Sequence, residues 1–143
     1  MNQNNIKIFI LDDDRFYGSY ICHSLKDSYG DVNYFQSWSE CLEHMIDEPN
    51  ILILDHKLEF CTGLSVINDL RKSEICKNTH ILYLSAQEHV HITLEALKNG
   101  AVDYFEKGSK TVEALKNAID RIEFLTNGFK SLLKIEEYRT MYG

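Results

Sequence analysis

Two kinds of segment alternate along the chain. Residues 6–11, 32–35, 51–55, 80–85 and 102–106 are short, mostly aliphatic or β-branched runs that read as strands. Longer stretches between them carry apolar residues three and four apart, the spacing of amphipathic helices. The spacing predicts a first helix over 15–29, with Phe16, Tyr20 and the 21–25 segment inward and Gly30 just past its end. Ser37, with Glu40 three residues on, predicts a capped second helix. Trp38, Cys41, Leu42, Met45 and Ile46 supply its apolar face, and Pro49-Asn50 stops it. Gly63 opens a third helix with Leu64, Ile67 and Leu70 inward. Val90, Leu94 and Leu97 mark the inner face of a fourth, terminated by Asn99-Gly100. From Thr111 a fifth helix places Val112, Leu115, Ile119 and Ile122 on one side.

Strand and helix thus alternate five times. That order builds right-handed βαβ units and a parallel sheet covered by helices on both faces. Ile51 to Leu54 are apolar at every position, as a central strand covered on both sides requires. The expected architecture is a doubly wound α/β domain.

Length, 143 residues, suffices for one domain with its own core, and 44% hydrophobic with 26% charged residues is an ordinary globular balance. The net charge of -7 repels nucleic acid and anionic membranes, and no Lys/Arg cluster offsets it. Cys22, Cys41, Cys61 and Cys76 contain no C-x-x-C pair, which argues against zinc and for free thiols in a reducing compartment, hence a cytoplasmic location. The N-terminus is polar rather than signal-like, and no apolar run approaches the roughly 20 residues that span a bilayer.

The polar groups at the strand ends change the picture from scaffold to site. The first strand ends in Asp12-Asp13, the third in Asp55, the fourth in Ser85, and Lys107 follows the fifth. In open α/β sheets ligands bind at this carboxyl edge. In a flavodoxin-like strand order of 2-1-3-4-5 the first and third strands are neighbours, so Asp12, Asp13 and Asp55 converge. Any one of these acids alone reads as a helix cap or a solvated loop residue; their joint placement is the signal. Converging carboxylates require protonation or a cation, and Mg²⁺ is suited to one or two carboxylates with sites left for phosphate oxygens. Carboxylate, metal, lysine and hydroxyl together suit phosphoryl transfer to an aspartate.

This pattern, over residues 6 to about 125, resembles the receiver domain of bacterial two-component response regulators. The spacing carries the likeness: from Asp55, Gly63 lies 8 residues on, Ser85 lies 30 and Lys107 lies 52. The resemblance implies a flavodoxin-like (βα)5 fold and a signalling phosphoacceptor rather than a turnover enzyme. It implies Asp55 as the phosphoacceptor, Asp13 as a direct metal ligand, Asp12 as a ligand acting partly through water, and the Lys57 carbonyl as a further ligand for Mg²⁺ (or Mn²⁺). Ser85 resembles the switch hydroxyl, Lys107 the lysine that contacts the phosphoryl group, and Tyr104 the aromatic switch. Lys57 and Gln87 occupy positions that tune phosphoryl lifetime. The implied donor is a histidine kinase or histidine phosphotransfer protein. Output is by protein contact to a downstream protein or fused output domain, with a homodimer as a further possibility.

Two positions depart from the pattern. Glu59 stands where a proline is usual, and Gly108 stands where a proline after a cis peptide is usual. A cis bond before a non-proline costs roughly 3 kcal/mol, so a trans Lys107-Gly108 bond and a looser loop are expected. Other readings remain open. A receiver-like module that is never phosphorylated is one. A haloacid-dehalogenase-type phosphatase using Asp12 is another, although Phe16 stands where that family expects threonine or valine. His56 reads as a loop side chain, and His89 and His91, two apart, cannot face one ligand on a helix. Residues 1–126 are expected to form the domain. Residues 127–143 are expected to be a helical extension or linker, with Asn127-Gly128 capping the fifth helix and the remainder packing on the domain surface. A helix running through to seed a coiled coil is the alternative, and no output domain is recognisable.

Overall fold

In the computed structural model, residues 6–86 and 90–142 are described. Among them the elements run β1 (Lys7–Leu11), α1 (Arg15–Lys26), β2 (Asp31–Phe35), α2 (Trp38–His44), a 3₁₀ turn (Met45–Asp47), β3 (Ile51–Asp55), α3 (Gly63–Ser73), β4 (His80–Ser85), α4 (Val90–Lys98), β5 (Ala101–Glu106) and α5 (Thr111–Tyr142). The sheet is parallel, in the order β2-β1-β3-β4-β5. This is the expected flavodoxin-like arrangement, with β3 central and buried at all five positions.

Strand alternation sorts the core into two layers. Ile8, Ile10, Ile51, Ile53, Leu82 and Leu84 pack with Ile21 and Leu25 of α1 and with Leu115, Ile119 and Ile122 of α5. Phe9, Leu11, Leu52, Leu54, Ile81 and Tyr83 point the other way, against Cys41 of α2, Val66, Ile67 and Leu70 of α3, and Ala96 of α4. The same alternation decides which face each strand-terminal residue continues from.

Several helix expectations are corrected. α1 stops at Lys26, three residues short of Tyr29, and Gly30 does not adopt positive φ. Tyr29 instead turns inward and its hydroxyl donates to Asp120 Oδ1 at 2.6 Å. Phe16, 89% exposed, and Tyr20 face solvent; Gly18, Ile21, Cys22 and Leu25 form the buried face. Ser37 caps α2 by accepting the Glu40 N–H. The helix tightens into the 3₁₀ turn at Met45, which keeps Met45 inward and leaves Ile46 exposed, while Leu42 also faces outward. In α4, Val90, Leu94 and Leu97 are exposed. The inner face is Ile92 and Ala96, because a small residue lets this short helix sit close to the sheet. Gly100 does end it, at φ 117°.

At the C-terminus α5 is one helix of 32 residues, running straight through Asn127-Gly128. A lone internal glycine costs about 1 kcal/mol, which good helix formers on either side outweigh. Residues beyond Ile122 are largely exposed, so this segment does not fold back onto the domain surface. Among the described residues no helix is long and apolar enough to cross a membrane.

Candidate functional site

β1 ends by delivering Asp12 into the interior, where its side chain is 1% exposed. Its Oδ1 accepts the Asp14 N–H at 2.9 Å, and its Oδ2 accepts from Lys107 Nζ at 2.8 Å. The Asp12 N–H donates to the Phe35 carbonyl, and the Asp12 carbonyl accepts the Tyr34 hydroxyl at 2.7 Å. Asp14 then caps α1, accepting the N–H groups of Phe16 and Tyr17. The turn is therefore rigid, with Asp13 half-buried at its crest.

Asp55 ends β3 and is 4% exposed. The following loop is pinned on both sides: the His56 N–H donates to the Leu84 carbonyl, and the Gly63 N–H donates to the His56 carbonyl, each at 2.8 Å. Gly63 has to be glycine, since a Cβ there would lie 2.6 Å from the Asp55 carbonyl oxygen and 2.6 Å from the Tyr83 ring. At the end of β5 the Lys107 N–H donates to the Ser85 carbonyl at 2.8 Å. Thr111 accepts the Gly108 N–H at 2.7 Å and donates to the Glu106 carbonyl at 2.8 Å. The Lys107-Gly108 bond is trans, as expected.

These three strand ends meet at one ammonium. Lys107 Nζ lies 2.8 Å from Asp12 and 3.2 Å from Asp55 Oδ1, and 4.4 Å above the Tyr17 ring. Asp12, Asp13 and Asp55 each offer an oxygen within 4.8 Å of the others. Burial is the main cause that pushes the Asp55 pKa up to about 7, the Asp12 charge adds to it, and Lys107 pulls the other way. For Lys107, burial opposes the charged form, but the hydrogen bond to Asp12 and the charges of both acids outweigh it, and its pKa is raised. One ammonium does not neutralise three carboxylates. The excess negative charge and the all-oxygen donor set fit a hard divalent cation such as Mg²⁺ or Mn²⁺.

Other expected residues lie around this cluster rather than in it. Ser85 is buried at the end of β4, on the face opposite the one from which Asp12, Asp55 and Lys107 continue. Tyr104 is half-buried on β5, paired in register with Tyr83, and the two rings stack at 6.1 Å and 24°. Lys57 is exposed in the β3–α3 loop and forms a bridge with Thr62. Gln87 and His89 lie outside the described residues.

Sequence reasoning missed the residues that brace the site: Tyr34, Gly18, Tyr17, Thr111 and the His56–Tyr83 pair. A Cβ at Gly18 would fall 2.2 Å from the Tyr34 ring, so this glycine makes room for the tyrosine that holds Asp12. A lone glycine inside a helical pattern was the available signal. For Tyr17 and Thr111, nothing in the linear pattern marks a contact with a distant strand.

The sequence profile of the response regulator receiver domain matches residues 8–120. Protein-glutamate methylesterase/protein-glutamine glutaminase of Methanococcus maripaludis is 30% identical over 145 residues, covering 96% of this chain and 39% of that protein. Transcriptional regulatory protein KdpE of Staphylococcus aureus is 28% identical over 102 residues, covering 71% and 43%. The chain thus spans less than half the length of these relatives. Among solved structures, the Francisella response regulator 1452 receiver domain superposes with a TM-score of 0.74 at 26% identity, covering 85% of this chain and 99% of that one. Vibrio cholerae chemotaxis protein CheY4 shares the fold with a TM-score of 0.73 at 23% identity, covering 82% and 98%. The match over most of its length shows that the chain belongs to the response regulator receiver domain family, a signalling domain.

Proposed function

We propose that Asp55 accepts a phosphoryl group from the phosphohistidine of a histidine kinase or histidine phosphotransfer protein in the cytoplasm. The observation that supports this most is the Lys107 ammonium held between Asp12 and Asp55 at 2.8 and 3.2 Å. An Asp55 oxygen attacks phosphorus in line; the O–P bond forms as the P–N bond breaks, and the donor imidazole leaves with the electron pair. Lys107 is placed to meet the charge on the phosphoryl oxygens, and Tyr17 beneath it limits its freedom. Asp12, Asp13, Asp55 and the Lys57 carbonyl would hold Mg²⁺ or Mn²⁺, which when bound supplies charge neutralisation for the incoming phosphoryl group. Asp12 is the weaker nucleophile candidate because its two oxygens are already engaged by Asp14 and Lys107, which disfavours the phosphatase reading. Ser85 and Tyr104 then report the modified state to the α4–β5–α5 face, with Lys57 and Gln87 setting its lifetime. Output passes by contact to a downstream protein or fused output domain, or between two copies. Residues 1–126 act as the receiver and 127–143 as a helical extension from it.

Incubation with acetyl phosphate and Mg²⁺ tests the proposal. A base-labile, acid-stable adduct on Asp55, lost in Asp55→Asn and with chelator, is expected. No adduct, or phosphatase turnover that depends on Asp12, would overturn it.

A further inference from the structure

His56 directly follows Asp55, and its role is not explained by the acidic cluster. Its ring nitrogen Nδ1 is hydrogen-bonded to the Tyr83 hydroxyl. Tyr83 is fully buried on β4, two residues before Ser85 and on the same strand face. The Tyr83 ring stacks on Tyr104 across the β4–β5 pairing. Gly63 leaves no slack, because a Cβ there would lie 2.8 Å from the Tyr83 hydroxyl oxygen. One buried side chain therefore joins the loop after Asp55 to the aromatic on β5, with Gly63, the first residue of α3, packed against it.

We propose that His56 and Tyr83 are positioning residues that couple the Asp55 loop to Tyr104, giving a route across the sheet separate from the Ser85 hydroxyl. The inference rests on Asp55 being the phosphoacceptor. A loop movement at Asp55 must carry the Tyr83 hydroxyl with it or break its bond to His56. In either case the ring that Tyr104 lies against changes position, because the packed interior offers no third arrangement. Ser85 needs no part in that chain of contacts. The route is built on the α3/α4 side, where an exchange surface formed by α4 and β5 would sense it.

The test uses the full chain with Mg²⁺ and beryllium fluoride as the phosphoryl mimic. The tyrosines carry a fluorine label, and the Tyr104 resonance is assigned by its loss in Tyr104→Phe. In the wild type, saturating mimic is expected to shift the Tyr104 resonance. In Tyr83→Phe and in His56→Leu, also at saturating mimic, the equilibrium between shifted and unshifted Tyr104 should move about fivefold toward the unshifted form. That is the ratio expected for one lost buried hydrogen bond. A purely structural role would lower unfolding stability and leave this ratio unchanged. An identical Tyr104 response in wild type and in either folded variant overturns the coupling alone. So does a wild type whose Asp55-loop amides respond to mimic while Tyr104 stays still. A wild type whose Asp55-loop amides do not respond, behaving as Asp55→Asn does, removes the phosphoacceptor reading and this inference together.

Discussion

Removing the charge of Asp55 should make the metal-free domain more stable, and the gain should depend on pH. Asp55 is buried beside Asp12, and burial first, then that neighbouring charge, pushes its pKa from 3.8 to about 7 against the pull of Lys107. Between those two values the folded protein holds a proton that the unfolded chain releases. Stability contributed by this group is therefore complete below about pH 4, falls as pH rises, and is gone above about pH 7. At roughly 1.4 kcal/mol per pH unit, the full gap sets a ceiling of about 4 kcal/mol. Because the charges of Asp12 and Lys107 act on it in opposite directions, about 2–3 kcal/mol is the expected size. Asp55→Asn preserves the shape and an acceptor for Lys107 but carries no charge. Urea unfolding followed by circular dichroism in chelator, from pH 5 to 8, measures the difference between variant and wild type. The advantage of Asp55→Asn should widen with pH over that range at a constant m-value. Saturating Mg²⁺ should erase it by stabilising only the wild type. A variant less stable than wild type at pH 8 in chelator, or a difference flat with pH, would refute the electrostatic account.

Three more outcomes follow from the packing. Gly63→Ala drives a methyl into the Asp55 carbonyl and the Tyr83 ring, so it should cost about 1–3 kcal/mol in urea unfolding, and Tyr83→Phe should not relieve it. Lys107→Met leaves Asp12 and Asp55 facing each other without their shared ammonium. About 3–5 kcal/mol of loss in metal-free protein is expected, largely recovered when Asp12→Asn is added, as a double-mutant cycle would show. Truncation after Thr126 removes an exposed length of α5, and should change the unfolding free energy of the domain by less than about 1 kcal/mol while lowering the helical circular dichroism signal.

The strands, their parallel order and the acids at their ends were legible because each is a local or periodic feature. An all-apolar run such as Ile51 to Leu54 has one comfortable environment, and the residues closing such runs must line the carboxyl edge. Helix faces were less legible where competing apolar stripes exist. α4 carries Val90, Leu94 and Leu97 on one stripe and Ile92 with Ala96 on another, and close approach through alanine decided between them. The Asn127-Gly128 pair reads locally as a stop, yet the residues around it continue the helix at little cost. The braces of the site, Tyr34 over Gly18 and Tyr83 between His56 and Gly63, depend on which residues face each other across the sheet. Such meetings are set by three-dimensional packing and have no periodic signature.

The length of α5 has a mechanical consequence. From Ile122, its last buried residue, to Tyr142 the helix runs on for about 30 Å. A helix of that kind is a stiff shaft, so a twist or slide imposed at its base arrives at its tip with little loss. Its pitch also makes spacing a matter of azimuth: one inserted residue swings the tip by about 100°, whereas seven return it nearly to its starting bearing. For anything gripping that tip, the number of residues in between is as consequential as their chemistry.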